Sequence, residues 1–216
     1  LEDHNIHVCV DDEDMFKVKA LIIGPEDTPY AHGFYFFYME IPKDYPISPP
    51  KVKFINLNGN VRFHPNLYKC GKVCLSILNT WYGPGWTSVQ TLSSILLSIQ
   101  SIMNEHPIQN EPGWETEEGN KSKEYNNVIG FYNMHSSIIH ALSKDIFGYE
   151  VFKDIMISYF VKNIKKYYKF YDTHKKLQGK KVKSGIYSML IDYYDLEGLR
   201  EKMDLLYSEY DNIISN

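Results

Sequence analysis

Apolar and polar positions alternate in two stretches near the start of the chain. Ile6, Val8 and Val10 are separated by polar residues, the two-residue period of a half-buried strand. An acidic turn at residues 11–14 follows. Phe16, Val18, Ala20 and Ile22 then alternate again until Gly24-Pro25 stops the strand. Residues 34–41 are rich in aromatic and β-branched side chains and end at Pro42. Residues 45–50 hold too many prolines for a central strand. Val52 and Phe54 share one face of a fourth strand over residues 51–55. Four strands joined in order by short links predict an antiparallel meander.

After Ile55 the periodicity is lost for about 30 residues, and irregular stretches of that length inside a domain are often functional. His64, Asn66, Cys74, Trp81 and Trp86 all fall within this one. A helix comes next. Thr87 and Gln90 have the spacing of a capping box. Val89, Leu92, Leu96, Ile99 and Met103 then recur at steps of three and four, a stripe that would pack on the sheet, and His106-Pro107 ends it. Residues 115–123 are polar. Three helices are expected beyond them, near 123–143, 147–176 and 186–214, with a mobile loop over residues 178–184. Their stripes (Phe152, Ile155, Met156, Tyr159 and Phe160; Leu199, Met203, Leu206 and Tyr210) read as packing surfaces rather than as a cofactor pocket. The fold class is thus α+β: a four-stranded antiparallel meander on a central helix, with an α-helical C-terminal extension. Residues 1–115 form the core and residues 116–216 the extension.

The totals narrow the chemistry. The 216 residues carry a net charge of −4, so no general polyanion surface, and no nucleic acid, is expected; the lysines at 175, 176, 180, 181 and 183 read as a solvated loop. No apolar run is long enough to span a bilayer, and the first seven residues lack a basic–apolar signal layout, so no membrane partner is expected. Cys9, Cys70 and Cys74 are odd in number and make no disulfide framework, which fits a reducing compartment, the cytoplasm first and the nucleus also. No second Cys/His pair lies at zinc-finger spacing, so no metal site is expected; no cofactor is expected either.

Several motifs stand in order between residues 24 and 115. Gly24-Pro25-Glu26-Asp27-Thr28-Pro29-Tyr30, with Gly33 just after, comes first. Pro42-Lys43-Asp44-Tyr45-Pro46-Ile47-Ser48-Pro49-Pro50 is second. His64-Pro65-Asn66 is third, followed eight residues after the asparagine by Cys74, with Gly71 between them and Cys74-Leu75-Ser76-Ile77-Leu78 and Trp81 beyond. A tripeptide alone would be weak, but this ordered set resembles the ubiquitin-conjugating enzyme family. Residues 71–81 and Asn110-Glu111-Pro112-Gly113 are similar to the family's Z type and to conjugating domains embedded in very large hybrid ligases. The resemblance implies a UBC-like fold. It also implies an enzyme that accepts ubiquitin or a ubiquitin-like modifier as a thioester on Cys74 and passes it to a substrate lysine or a ligase, in an ATP-dependent pathway. Partners implied in the same way are the modifier, a ubiquitin-activating enzyme, a ubiquitin ligase and substrate proteins. The family's first helix, which precedes the first strand and helps dock the activating enzyme, has no counterpart among these residues. Ser76 stands where many members have an acidic residue. The family's acidic residue after the central helix aligns on either Asn110 or Glu111.

The chemistry assigns roles to the residues so matched. Transfer between thiols is near balance and transfer to an amine runs downhill, so Cys74 needs no strongly activating base and must only be reachable. Asn66 could stabilise the oxyanion of the tetrahedral intermediate, or hold the loop through its backbone; a mixed role is expected. His64 reads as structural, supporting the loop with Pro65, Gly71, Trp81 and Asn110. Glu111 would orient the incoming lysine or take its proton, or is a plain solvent-exposed carboxylate. Ile47 and Pro84 fall in the two loops that family members present to ligases. Two rival classes remain: an inactive binding module of the same fold, and a Cys–His hydrolase using His64 or His106.

Overall fold

In the computed structural model, which describes residues 1–215, strands β1 (Ile6–Val10), β2 (Lys17–Ile23), β3 (Phe34–Glu40) and β4 (Lys51–Ile55) form one antiparallel sheet in the order β1-β2-β3-β4. The register pairs Val18 with Met39, Ala20 with Phe37 and Phe37 with Phe54, which places the alternating apolar set on one face as expected. Leu21, Ile23, Phe34 and Phe36 point to the opposite face and are buried as well. The uninterrupted apolar runs 20–23 and 34–37 carry that information, because a strand buried on both faces loses its alternation.

What buries the second face is the extension. Tyr149 meets Phe36 edge-on with ring centroids 5.3 Å apart, and Tyr159 meets Phe34 at 6.3 Å. The meander is therefore covered on both sides at this end. The far end of the second face is polar, with Lys17, Lys19, Lys51 and Lys53.

Helix α1 (Leu92–Ile102) buries Ile95, Leu96 and Ile99, with Met103 just beyond it. Its capping box uses Thr91 and Ser94 rather than Thr87 and Gln90. The Thr91 Oγ1 accepts from the Ser94 N–H and the Ser94 Oγ accepts from the Thr91 N–H. Gln90 still accepts from the Thr87 N–H at 2.9 Å, but that turn stops there and Val89 is left exposed. Ser94 supplies the second half of the box four residues later than expected.

In the extension, α2 (Asn120–Tyr132) runs on through a π-helical stretch (Asn133–His140) into a last turn, α3 (Ala141–Ser143), close to the expected span. The π stretch opens on Asn133, which is buried and doubly used. Its Nδ2 donates to the Ala31 carbonyl at 3.0 Å, and its Oδ1 accepts from the Tyr35 hydroxyl at 2.7 Å. Gly33 leaves room for it, since a Cβ there would lie 1.9 Å from that Oδ1.

The expected helix 147–176 is interrupted. α4 (Lys153–Lys162) and α5 (Ile164–His174) are separated by Asn163, whose side-chain amide donates to the Tyr159 carbonyl and competes with the helix's own bonding. The expected helix 186–214 begins only at Leu196, as α6 (Leu196–Ser215). Before it lies a hairpin of β5 (Val182–Ser184) and β6 (Met189–Ile191), where a mobile loop and a helix start were expected. Val182, Ser184, Met189 and Ile191 point inward while Lys183 and Leu190 point out, a two-residue period hidden in a lysine-rich stretch. Gln178 is pinned too, accepting from the Leu196 and Glu197 N–H groups at the start of α6. Among the described residues, no helix is long and apolar enough to cross a membrane.

Candidate functional site

The irregular stretch after β4 is held to the sheet by its own backbone. The Phe54 N–H donates to the Gly71 carbonyl at 2.8 Å, and short bridges join Lys53 to Lys72 and Leu67 to Val73. Gly71 has φ +91°, and a Cβ would stand 2.6 Å from the Phe54 oxygen, so only glycine serves at this approach. These bonds bring Asn66 beside Cys74. The Cys74 N–H donates to the Asn66 carbonyl at 2.9 Å, and the Asn66 Nδ2 donates to the Cys74 carbonyl at 2.7 Å.

Thr80, which the sequence reasoning passed over, pins the residues on either side. Its Oγ1 accepts from the Leu75 N–H at 3.0 Å and donates to the Val73 carbonyl at 2.9 Å. His64 is fully buried, and its Nδ1 accepts from the Asn66 N–H at 2.9 Å. Burial pushes its pKa down to about 3, so it stays neutral and serves as a structural acceptor. Among the described residues no imidazole hydrogen-bonds to the Cys74 sulfur, and His106 instead lies near Glu105, so neither histidine makes the pair a Cys–His hydrolase needs.

The requirement that Cys74 be reachable is not met in this conformation: the residue is 1% exposed. The segment that follows folds back close by. A Cβ on Gly83 would lie 3.1 Å from the Ser76 Cβ, and Asn79 Oδ1 accepts from the Trp86 N–H at 2.8 Å. Residues 81–89 are almost entirely exposed themselves, Trp81 at 37% and Tyr82 at 97%.

Asn110 and Glu111 are sorted by their side chains. Asn110 turns back on its own helical turn, donating to the Pro107 carbonyl at 3.3 Å. Glu111 points to a polar cluster made by Arg62 and Tyr187. Arg62 was missed by sequence reasoning, although a long cation just before Phe63-His64-Pro65-Asn66 is a signal in itself. Tyr187 carried none, being 76 residues from its partner.

Ile47, 76% exposed, and the exposed Pro84 lie on loops that the structure brings together. Trp86 Nε1 donates to the Pro46 carbonyl at 2.8 Å, and its ring lies 6.0 Å from that of Tyr45. Cys70 is exposed and Cys9 half-buried, and the described residues hold no cluster of three or more potential metal ligands.

Known proteins share the sequence pattern and the fold of this chain. A family model described as "Ubiquitin-conjugating enzyme" matches residues 2–130. The chain is 48% identical over 167 residues to ubiquitin-conjugating enzyme E2 Z of Xenopus tropicalis, covering 76% of this chain and 52% of that protein. It is 46% identical over 124 residues to the human dual E2 ubiquitin-conjugating enzyme/E3 ubiquitin-protein ligase BIRC6, covering 55% of this chain and 3% of that one. The chain thus spans about half the length of the Xenopus relative. Among solved structures, a Toxoplasma gondii ubiquitin conjugating enzyme E2 domain matches with a TM-score of 0.50 and 25% identity, over 63% of this chain and 90% of that domain.

Proposed function

Because the chain belongs to the ubiquitin-conjugating enzyme family, we propose that it carries ubiquitin or a ubiquitin-like modifier as a thioester on Cys74 and hands it to a lysine or to a ligase. The single observation that carries this reading is the double tie between Asn66 and Cys74, which fixes an amide side chain against the backbone of the residue that would bear the acyl group.

In loading, the Cys74 sulfur attacks the modifier's thioester on the activating enzyme. A new C–S bond forms, the old one breaks, and the donor thiol leaves. In discharge, a neutral lysine attacks the same carbonyl carbon. The C–N bond forms, the C–S bond breaks, Cys74 leaves as thiolate, and the amine proton passes to a base or to water. A thiolate leaves readily because a free thiol titrates near ~8.5. Asn66 steadies the oxyanion between these steps, and Glu111 receives the amine. The donor for that oxyanion is the Asn66 Nδ2, which carries two hydrogens; one is given to the Cys74 carbonyl at 2.7 Å, and the second is the one available as charge develops.

The buried sulfur means that loading requires a displacement. Residues 81–89 are the segment to move, being solvent-exposed and resting on Ser76, two residues past the nucleophile. The exposed Ile47 and Pro84, on loops joined through Trp86, form the face offered to a ligase.

A charging assay tests this reading. The chain is incubated with ATP and a panel of activating enzymes and modifiers. The expected product is an adduct on Cys74 that thiol reductants cleave, and Cys74→Ser should yield a reductant-resistant ester or none. A reductant-sensitive adduct surviving in Cys74→Ser would sink it.

A further inference from the structure

We propose that Tyr187, at the tip of the β5–β6 hairpin, is a positioning residue that holds Glu111 ready for the incoming amine, so that the extension completes the acceptor side of the site. This deepens the reading above and rests on it.

Three observations converge. The Tyr187 hydroxyl donates to Glu111 Oε2, and Arg62 Nη2 stands 3.9 Å from the same oxygen. Oε1 makes no hydrogen bond among the described residues, and the Glu111 side chain keeps 27% exposure. One oxygen is thus anchored and the other carries no protein partner among the described residues, on a partly exposed side chain, the arrangement that orients an amine without letting the carboxylate swing. Burial first, and Glu111 beside it, push the Tyr187 phenol far up, so it stays a donor throughout the range in which a lysine can be deprotonated.

Arg62 ties this pair to the nucleophile's loop. Its guanidinium is sandwiched between two rings, 3.8 Å from the Tyr68 centroid and 4.1 Å from that of Tyr187. Its Nη2 also donates to the carbonyl of Pro65, whose neighbour Asn66 is bonded to Cys74. Tyr125 steadies the same cluster, with its hydroxyl on the Arg62 carbonyl at 3.1 Å and its ring 6.2 Å from Tyr187.

The hairpin tip is built for this contact at a cost. Tyr187 (φ 59°, ψ 14°) and Ser188 (φ 50°) both take the left-handed backbone, while Gly185 in the same turn sits at φ −64° and uses none of its freedom. A side-chain-bearing residue holds such a conformation only where its surroundings over-determine it, and here those surroundings are Arg62 and Glu111.

The test uses the full chain, charged on Cys74 with the modifier that loads it, and follows single-turnover discharge to free lysine against pH. Tyr187→Phe keeps the ring over Arg62 and removes only the donor, and its discharge is expected to fall roughly tenfold. Glu111→Gln is expected to slow discharge as well. In the Glu111→Gln background Tyr187→Phe should add less than about a twofold loss, because both act through one carboxylate. Tyr187→Gly, which suits the left-handed backbone, is the second variant and should lose at least as much as Tyr187→Phe. Discharge by Tyr187→Phe as fast as the parent or faster overturns the proposal, as does a penalty that persists in full without the Glu111 carboxylate. Failure of the parent chain to charge at all overturns the Cys74 reading first, and this one with it.

Discussion

Asn66 and Cys74 hold each other by two hydrogen bonds, side-chain amide to carbonyl at 2.7 Å and backbone N–H to carbonyl at 2.9 Å. The asparagine that would steady the intermediate is therefore also the clamp that fixes the Cys74 backbone. Asn66→Ala should lower stability by about 1 kcal/mol, the usual net value of one hydrogen bond, read from urea midpoints. It should slow lysine discharge by roughly a hundredfold if the amide also meets the oxyanion. A stability loss with discharge unchanged would assign Asn66 to the loop alone.

Gly71 and Gly113 both lie at positive φ, +91° and +86°, but only Gly71 is crowded, since nothing lies within 4 Å of a Cβ on Gly113. Gly113→Ala should cost about 1–2 kcal/mol for the backbone alone. Gly71→Ala should cost about 3 kcal/mol or more, because the Phe54 carbonyl must also move and release the bond that anchors the loop to β4. Equal costs in denaturant titrations would show that the close approach is absent in solution.

Burial holds His64 at about 3, whereas an unfolded histidine titrates near ~6.5. The unfolded chain therefore takes up a proton that the folded chain refuses. The stability contributed by the neutral ring is complete above pH ~6.5 and is lost as pH falls toward the folded value, by about 1.4 kcal/mol per unit. Burial lowers His32, His135 and His174 as well, with the same sign, so the comparison is the difference between the parent and His64→Gln. The variant's acid limb should be shallower by one proton, and limbs of equal slope would mean that His64 is not buried in neutral form.

The extension covers the face of the sheet formed by Leu21, Ile23, Phe34 and Phe36, each no more than 1% exposed. A chain ending at residue 143 loses Tyr149 and Tyr159 and uncovers that face, a contiguous apolar patch of the kind that drives association. Size-exclusion chromatography should find it aggregated. A stable monomer would show that the extension is an accessory to the fold rather than part of it.

The sequence by itself determined the meander, the central helix and the extent of the irregular loop that holds His64, Asn66 and Cys74. Strand period, a helical stripe and short-range motifs are local signals, and the spacing from His64 to Cys74 is short enough for one loop to use all of its members. The unbroken apolar runs at residues 20–23 and 34–37 also state that both faces are covered, and the alternation at residues 182–191 is present but lies among lysines. Only the tertiary structure decided which element covers the second face, that the Cys74 sulfur is shielded in the free chain, and that Glu111 rather than Asn110 joins the polar cluster. Those outcomes depend on contacts between residues far apart in the chain, such as Glu111 with Tyr187 and Phe36 with Tyr149. A residue's own neighbours in sequence say that it is apolar or charged. They do not say which distant side chain will bury or bind it, because the whole packing selects that partner.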